Sequence, residues 1–285
     1  MNTNLHHLLD TTTFERAWLE RLFRRADEFL QQGYVHTLPS NIVATAFFEP
    51  STRTRLSFTA AAYKLGANVL GFDSATSTSS AKGESLEDTV RMVGNYSDVI
   101  VMRHPEAGAA HRAAAVSSVP IINAGDGSNA HPTQTILDLF TIQQGIGRLD
   151  DFSIAMIGDI EHSRVVHSLQ EALTLFNHVT VHLVDPRTQD YKTLLPQVDI
   201  ALVTRVQQER YANAAEAEAF QKSYVISLED VLSMKPEAKI ISPLPRLSEL
   251  PTTIDQQPQA YYFKQAGFGV PVRAAILEYA LGVWQ

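Results

Sequence analysis

Apolar positions along the chain alternate between a helical period and short continuous runs from one end to the other. Trp18, Leu19, Leu22, Phe23, Ala26, Phe29 and Leu30 recur at helical spacing, and Gly33 supplies a stop, so residues 14–32 are predicted to form a helix. A buried strand follows at 42–48, then a helix from about Ser51 to Gly66. The next predicted strands are 68–72, 98–102 and 118–122, with helices at 85–96 and 107–116 between them. A helix at 132–144 runs into Gly145 and Gly147. Strands at 153–158, 179–184, 199–203 and 238–241 come after it, and a helix at 270–282 closes the chain. Strands that alternate with helices imply an α/β fold with largely parallel sheets. The pattern predicts two doubly wound domains joined by helices, 1–133 with a returning helix 270–285, and 134–269. No internal repeat and no low-complexity linker stands out.

Composition narrows the function. The 285 residues suffice for two domains, and 45% hydrophobic with 19% charged residues is ordinary for a globular protein. No apolar run approaches the roughly 20 residues of a membrane span. The first residues lack the basic and apolar regions of a signal peptide. Cysteine is absent, which excludes disulfides, a thiolate nucleophile and Cys-ligated zinc, and fits a cytoplasmic location. A net charge of -8 argues against a nucleic-acid partner. It also means that an anionic substrate would need a local basic focus.

One segment has that character. Glu49-Pro50-Ser51-Thr52-Arg53-Thr54-Arg55 lies where a strand gives way to a helix. Helix N-termini present unpaired N–H groups and a positive dipole end, which suit a phosphate. Ser51, Thr52 and Thr54 add hydroxyls, and Arg53 adds a planar donor fork. Open α/β sheets place ligands beyond the carboxyl ends of strands, which is this location. Serine is equally common as a plain N-cap, so the pattern alone leaves an ordinary capped surface helix as an even alternative.

The segment resembles the phosphate-binding signature of the aspartate and ornithine carbamoyltransferases. Further motifs resemble the same family: Lys82-Gly83-Glu84 behind a Ser/Thr-rich loop, Met102-Arg103-His104-Pro105, and Gly125-Asp126-Gly127-Ser128-Asn129-Ala130-His131-Pro132-Thr133-Gln134-Thr135. Gly158-Asp159-Ile160-Glu161-His162-Ser163-Arg164, Thr204-Arg205-Val206-Gln207-Gln208-Glu209-Arg210 and Ser242-Pro243-Leu244-Pro245-Arg246 do so in the second half.

The resemblance implies residue roles. Arg53, Thr54, Lys82, Arg103 and His131 would be catalytic. Ser51, Thr52, Arg53, Thr54, Arg103, His131, Gln134 and Thr78, with the backbone of Pro243 and Leu244, would bind carbamoyl phosphate. Lys82, Arg164, Arg205 and Gln207 would bind aspartate. Glu49 would bridge the domains to Arg164 and Arg210 in a closed form. The first domain would then be the carbamoyl phosphate-binding domain and the second the aspartate-binding domain. The loop of Lys82 would reach a neighbouring subunit's site, so the active unit would be a homotrimer. No metal and no organic cofactor is called for.

The expected reaction is transfer of the carbamoyl group from carbamoyl phosphate to the amino group of L-aspartate, a pyrimidine-pathway step. Ornithine-specific members use a cysteine that this chain lacks. Three departures stand out. Ser242 replaces the family's histidine, Glu161 and His162 replace a Lys-Tyr pair, and the second domain is short by about one βα unit between 168 and 203. A regulatory subunit is therefore not carried over. Two other readings stay open: a paralogue with a different amino-acid acceptor, and a non-catalytic structural homologue.

Overall fold

The computed structural model describes residues 5–207, 211 and 213–284. The chain divides into two compact units, Met1–Ile136 with Phe268–Gln285, and Leu137–Gly267. In the first, α1 (Arg16–Gln32) precedes β1 (Ile42–Phe47), α2 (Thr52–Lys64), β2 (Asn68–Phe72), α3 (Leu86–Gly94), β3 (Val99–His104), α4 (Ala109–Val116) and β4 (Ile121–Asp126). The strands form one parallel sheet in the order β2-β1-β3-β4. Helix α5 (Pro132–Ile146) leads into the second unit.

That unit contains β5 (Ser153–Ile157), α6 (Arg164–Leu173), β6 (Thr180–Val184), β7 (Ile200–Val203), α7 (Ala214–Lys222), α8 (Leu228–Ser233) and β8 (Lys239–Ile241). Its strands are again all parallel, in the order β6-β5-β7-β8. Helix α9 (Tyr262–Ala280) returns the chain to the first unit. Both sheets therefore share one strand order, a repeat that the sequence does not display.

Burial explains why these segments are strands. β1, β3, β5 and β7 are nearly continuous apolar runs with almost every residue buried, as expected for parallel strands covered on both faces. The edge strands β2 and β6 are partly exposed. In each sheet the chain leaves the central pair in opposite directions. This creates a switch point between the carboxyl ends of β1 and β3, and another between those of β5 and β7.

Several elements differ from the sequence pattern. β4 runs from 121 to 126, not 118–122, because Pro120 offers no N–H and the polar Asn123 and Asp126 are buried with satisfied groups. α9 begins at Tyr262, well before residue 270. Gly267, Gly269 and Pro271 read as breakers, and its buried residues follow one another without a period, so the helix has no polar stripe to announce it. α6, α7 and α8 have no counterpart among the predicted elements. Between β6 and β7, residues 185–199 form successive turns without a helix. Tyr191, Leu195 and Val198 are buried there and fill the core in place of one.

Gly158, just past β5, has φ +127°, and a Cβ on it would lie 2.3 Å from the Thr204 carbonyl oxygen beyond β7. Gly158→Ala should therefore cost about 2 kcal/mol or more, through backbone strain and overpacking together. Urea denaturation measures this, and an unchanged midpoint would show that the two strand ends have room.

Candidate active site

Each residue singled out in the first unit is delivered by a strand's carboxyl end or the connection after it. β1 leads to Ser51, which occupies the N-cap position of α2 in an extended conformation, φ -155°, yet its hydroxyl makes no capping bond. Serines at the same position of α3, α6 and α8 do cap, accepting from Asp88 N, Val166 N and Asp230 N at 3.1, 3.4 and 3.2 Å. The N-terminus of α2 thus lacks its own serine cap, and its first N–H groups have no partner within the helix. The reading of Ser51 as an ordinary cap fails on this geometry. Thr52 and Arg53 are exposed, and Thr54 is buried. Arg55 turns to an exposed ion pair with Asp73 at 2.9 Å.

β3 brings Arg103 opposite Phe47, the last residue of β1. Its guanidinium donates to Ala124 O at 3.3 Å and pairs with Glu49 at 2.8 Å. Glu49, expected to bridge domains, is thus held against Arg103 within its own unit. β4 leads to His131 and Gln134, which are 5% and 7% exposed, with His131 Nδ1 3.4 Å from the Thr133 hydroxyl. Ser51–Thr54, Arg103, His131 and Gln134 therefore follow three adjacent strands of one sheet. Thr78 and Lys82 sit elsewhere in the topology, after edge strand β2, Thr78 between two 3-10 turns and Lys82 at the end of the second. The Thr78 hydroxyl donates to Ala75 O at 2.7 Å, and Lys82 is exposed with no ion-pair partner among the described residues.

The second unit repeats the arrangement. Arg164, buried, opens α6 after β5, while Arg205 and Gln207 follow β7. Asp159 is 1% exposed and accepts from His162 N and Nδ1 at 3.3 and 2.9 Å, and from Gln207 N at 3.2 Å. Gln207 Nε2 donates to His162 O at 3.2 Å, and the His162 ring lies 4.8 Å from that of Tyr211. Burial and the Asp159 carboxylate push the Tyr211 hydroxyl up to about 12. Arg205 donates to Val206 O at 2.9 Å. Arg210 lies outside the described residues.

After β8, the Leu244–Pro245 peptide is cis. Ser242 is tied into the turn by hydrogen bonds. Its hydroxyl accepts from Leu244 N at 3.3 Å, and its N–H donates to Gln265 Oε1 at 2.8 Å. Gln265 Nε2 in turn donates to the buried Asp138 at 2.6 Å. Arg246 grips Asp255 through both terminal nitrogens.

Asp126 and Asp159 are functional candidates to which the motif reading gave no role. The available signal was a Gly-Asp pair after a strand in each half of the chain. Among the described residues, no group of three His, Asp or Glu side chains is placed to hold a metal ion.

Together these features define a doubly wound α/β protein whose two sheets each carry oxyanion-suited groups at a switch point. Residues 6–144 match the carbamoyl-P binding domain of aspartate/ornithine carbamoyltransferases, and residues 186–280 match their Asp/Orn binding domain. The chain belongs to the aspartate/ornithine carbamoyltransferase family. It is 42% identical to the aspartate carbamoyltransferase catalytic subunit of Thermococcus gammatolerans, over 99% of this chain and all of that one. It is 41% identical to the catalytic subunit of M. jannaschii aspartate transcarbamoylase, with a TM-score of 0.87 over 95% of this chain and 96% of the other. The Trypanosoma cruzi aspartate transcarbamoylase, solved with carbamoyl phosphate and aspartate, is 32% identical with a TM-score of 0.88 over 95% of both chains.

His104 sets a pH limit on the first unit. Its Nδ1 accepts from Glu106 N at 3.1 Å, and burial lowers its pKa below the ordinary imidazole value of 6.5. The unfolded chain therefore binds this proton more readily than the folded one. Stability from this group is complete above about 6.5 and falls as pH drops through the lowered value. Denaturant titrations from pH 7.5 to 5 should show this loss, with a shallower slope in His104→Asn. Equal slopes would assign the loss to other groups.

Proposed function

We propose that this chain catalyses carbamoyl transfer from carbamoyl phosphate to the amino group of L-aspartate, giving N-carbamoyl-L-aspartate and phosphate. The observation that carries this reading is Ser51, a serine in the N-cap position whose hydroxyl caps nothing, at a strand end that suits a phosphate. In this reading the α2 N-terminus, Ser51, Thr52, Arg53 and Thr54 hold the phosphoryl group. The aspartate amine attacks the carbonyl carbon, a C–N bond forms, and the carbonyl oxygen gains negative charge. His131 and Arg103 donate to that oxygen, the interaction type with the largest return in such reactions. Gln134 and the Pro243 and Leu244 carbonyls hold the carbamoyl amine. The C–O bond to phosphate then breaks, and the amine proton departs, with the phosphate as one available acceptor.

Arg164, Arg205 and Gln207 take the two aspartate carboxylates, since guanidinium forks match carboxylates in pairs. Glu49 and Arg210 serve closure, in which Glu49 would exchange Arg103 for partners in the second unit. The units are accordingly assigned as the carbamoyl phosphate-binding and aspartate-binding domains. No helix of the described residues is long and apolar enough to cross a membrane. A cytoplasmic location is part of the proposal, in keeping with a cysteine-free chain.

Phosphate release from carbamoyl phosphate with a panel of amino acids tests the acceptor. Aspartate should give at least about a hundredfold more turnover than ornithine or glutamate, on the scale of a site with paired polar recognition. Higher turnover with another amino acid would make the chain a paralogue. No turnover with any acceptor, in folded protein that binds a phosphonate, would make it a structural homologue.

A homotrimer with shared sites is proposed from Lys82, an exposed ammonium without an ion pair among the described residues. Mixing inactive Lys82→Ala and Arg53→Ala subunits should restore part of the activity, because some sites would then draw both intact residues from different chains. Complete inactivity despite demonstrated subunit exchange would rule out sharing.

A further inference from the structure

Asp126 is the last residue of β4 and is fully buried. A carboxylate offers about four lone-pair positions. Here Oδ1 accepts from Asn123 Nδ2 at 2.9 Å and Ala130 N at 3.1 Å, while Oδ2 accepts from Gly108 N at 2.9 Å and Asn129 Nδ2 at 3.1 Å. The acceptor set is saturated, so the group has no position left for a substrate. Asn123 belongs to β4 itself, and the other partners belong to two separate connections, Gly108 to the one after β3 and Asn129 and Ala130 to the one after β4.

We propose that Asp126 is a positioning residue for carbamoyl transfer, locking the 104–108 connection to the 126–131 turn and so fixing Arg103 and His131 relative to each other. This rests on the reading above, in which those two residues serve carbamoyl phosphate. Three further observations support it. Gly127 N donates to His104 O at 2.9 Å, so the two connections are also joined through backbone. Gly127 has φ +54°, and a Cβ there would lie 2.6 Å from both Pro105 O and Ala107 N, so the turns touch with no space between them. Finally, the bonded atoms adjoin the functional residues in the chain: His104 directly follows Arg103, and Ala130 directly precedes His131. A rotation of either turn would move one of the two and not the other.

The carboxylate is required because every partner is a donor. Asparagine has nearly the same shape, but its NH2 would face N–H groups and reverse two of the four contacts. A misplacement of about 1 Å can cost on the order of a hundredfold in rate. Asp126 reaches the substrate only through its neighbours, so its loss should act on the carbamoyl phosphate side alone.

The test uses the full chain in its native assembly, with Asp126→Asn and the milder Asn129→Ala. Asn129 is exposed, so its truncation leaves the core intact. Steady-state kinetics with each substrate are run beside thermal unfolding. Asp126→Asn should lower kcat/KM for carbamoyl phosphate by about ten- to a hundredfold, with the KM for aspartate within about twofold. Asn129→Ala should show a loss of a few fold in the same parameter. Both substrates losing affinity together, in step with the folded fraction, would mean a structural role only and overturn the proposal. So would a folded Asp126→Asn protein with unchanged kcat/KM for carbamoyl phosphate. If Asp126→Asn does not fold, Asn129→Ala decides, and unchanged kinetics there overturn it. Failure of the functional reading is separate: it would appear as an inactive wild type, before any variant is compared, and would remove the inference with it.

Discussion

A parallel strand must pass its chain to a crossover at its carboxyl end, and this constraint organises the molecule. Each sheet has the order in which the second crossover leaves on the opposite side from the first, so the central strands end beside a crevice. Helices that start there point N–H groups toward it. The fold thus supplies donors at two switch points before any side chain is considered. The side chains then differentiate the two. The first has Ser51 to Thr54 with Arg103 and His131, suited to a phosphoryl group and a polarised carbonyl. The second has Arg164 and Arg205, suited to carboxylates.

The electrostatic problem is a chain of net charge -8 that handles two anionic substrates. Local arrangement answers it without changing the total. Arg103 is half of an ion pair with Glu49, and Arg55 pairs with Asp73, so neither cation is uncompensated. Lys82 and Arg53 are exposed. An arginine already seated against a carboxylate is held in place while no substrate is bound. Under the proposed function, exchange of that carboxylate for a substrate oxyanion would replace one neutralised pair with another and spare the cost of leaving a charge alone in a partly buried site.

Much of this was legible in the sequence. The alternating pattern located the eight strands of the described residues, with β4 displaced by a few positions, and did so most sharply for β1, β3, β5 and β7, because parallel strands buried on both faces are apolar almost without interruption. The candidate phosphate-side residues could be picked out because Ser51–Arg55 and the 125–135 segment are contiguous in the chain. Position alone could not say whether Ser51 caps its helix, since that depends on a hydroxyl rotamer and not on spacing. The start of α9 was hidden by Gly267, Gly269 and Pro271, and tertiary burial overrides the breakers there. The shared strand order of the two sheets was invisible, since topology depends on which face each crossover takes and leaves no residue-level repeat.

The buried aspartates were the least legible feature, because an acid beside a candidate anion site looks like an error. Like charges at a spacing on the order of 8 Å repel by about 2 kcal/mol at an effective dielectric of about 20. Asp126 and Asp159 are tolerable because N–H dipoles surround them, four at Asp126 and three at Asp159 by the bonds described. Most of those donors come from connections that adjoin Arg103 and His131 in one unit, and Arg164, Arg205 and Gln207 in the other. A neutral acceptor would avoid the repulsion, but an amide would present donors to donors. A site built from donors needs its supporting loops tied by something that only accepts, and a carboxylate is the side chain that meets that condition.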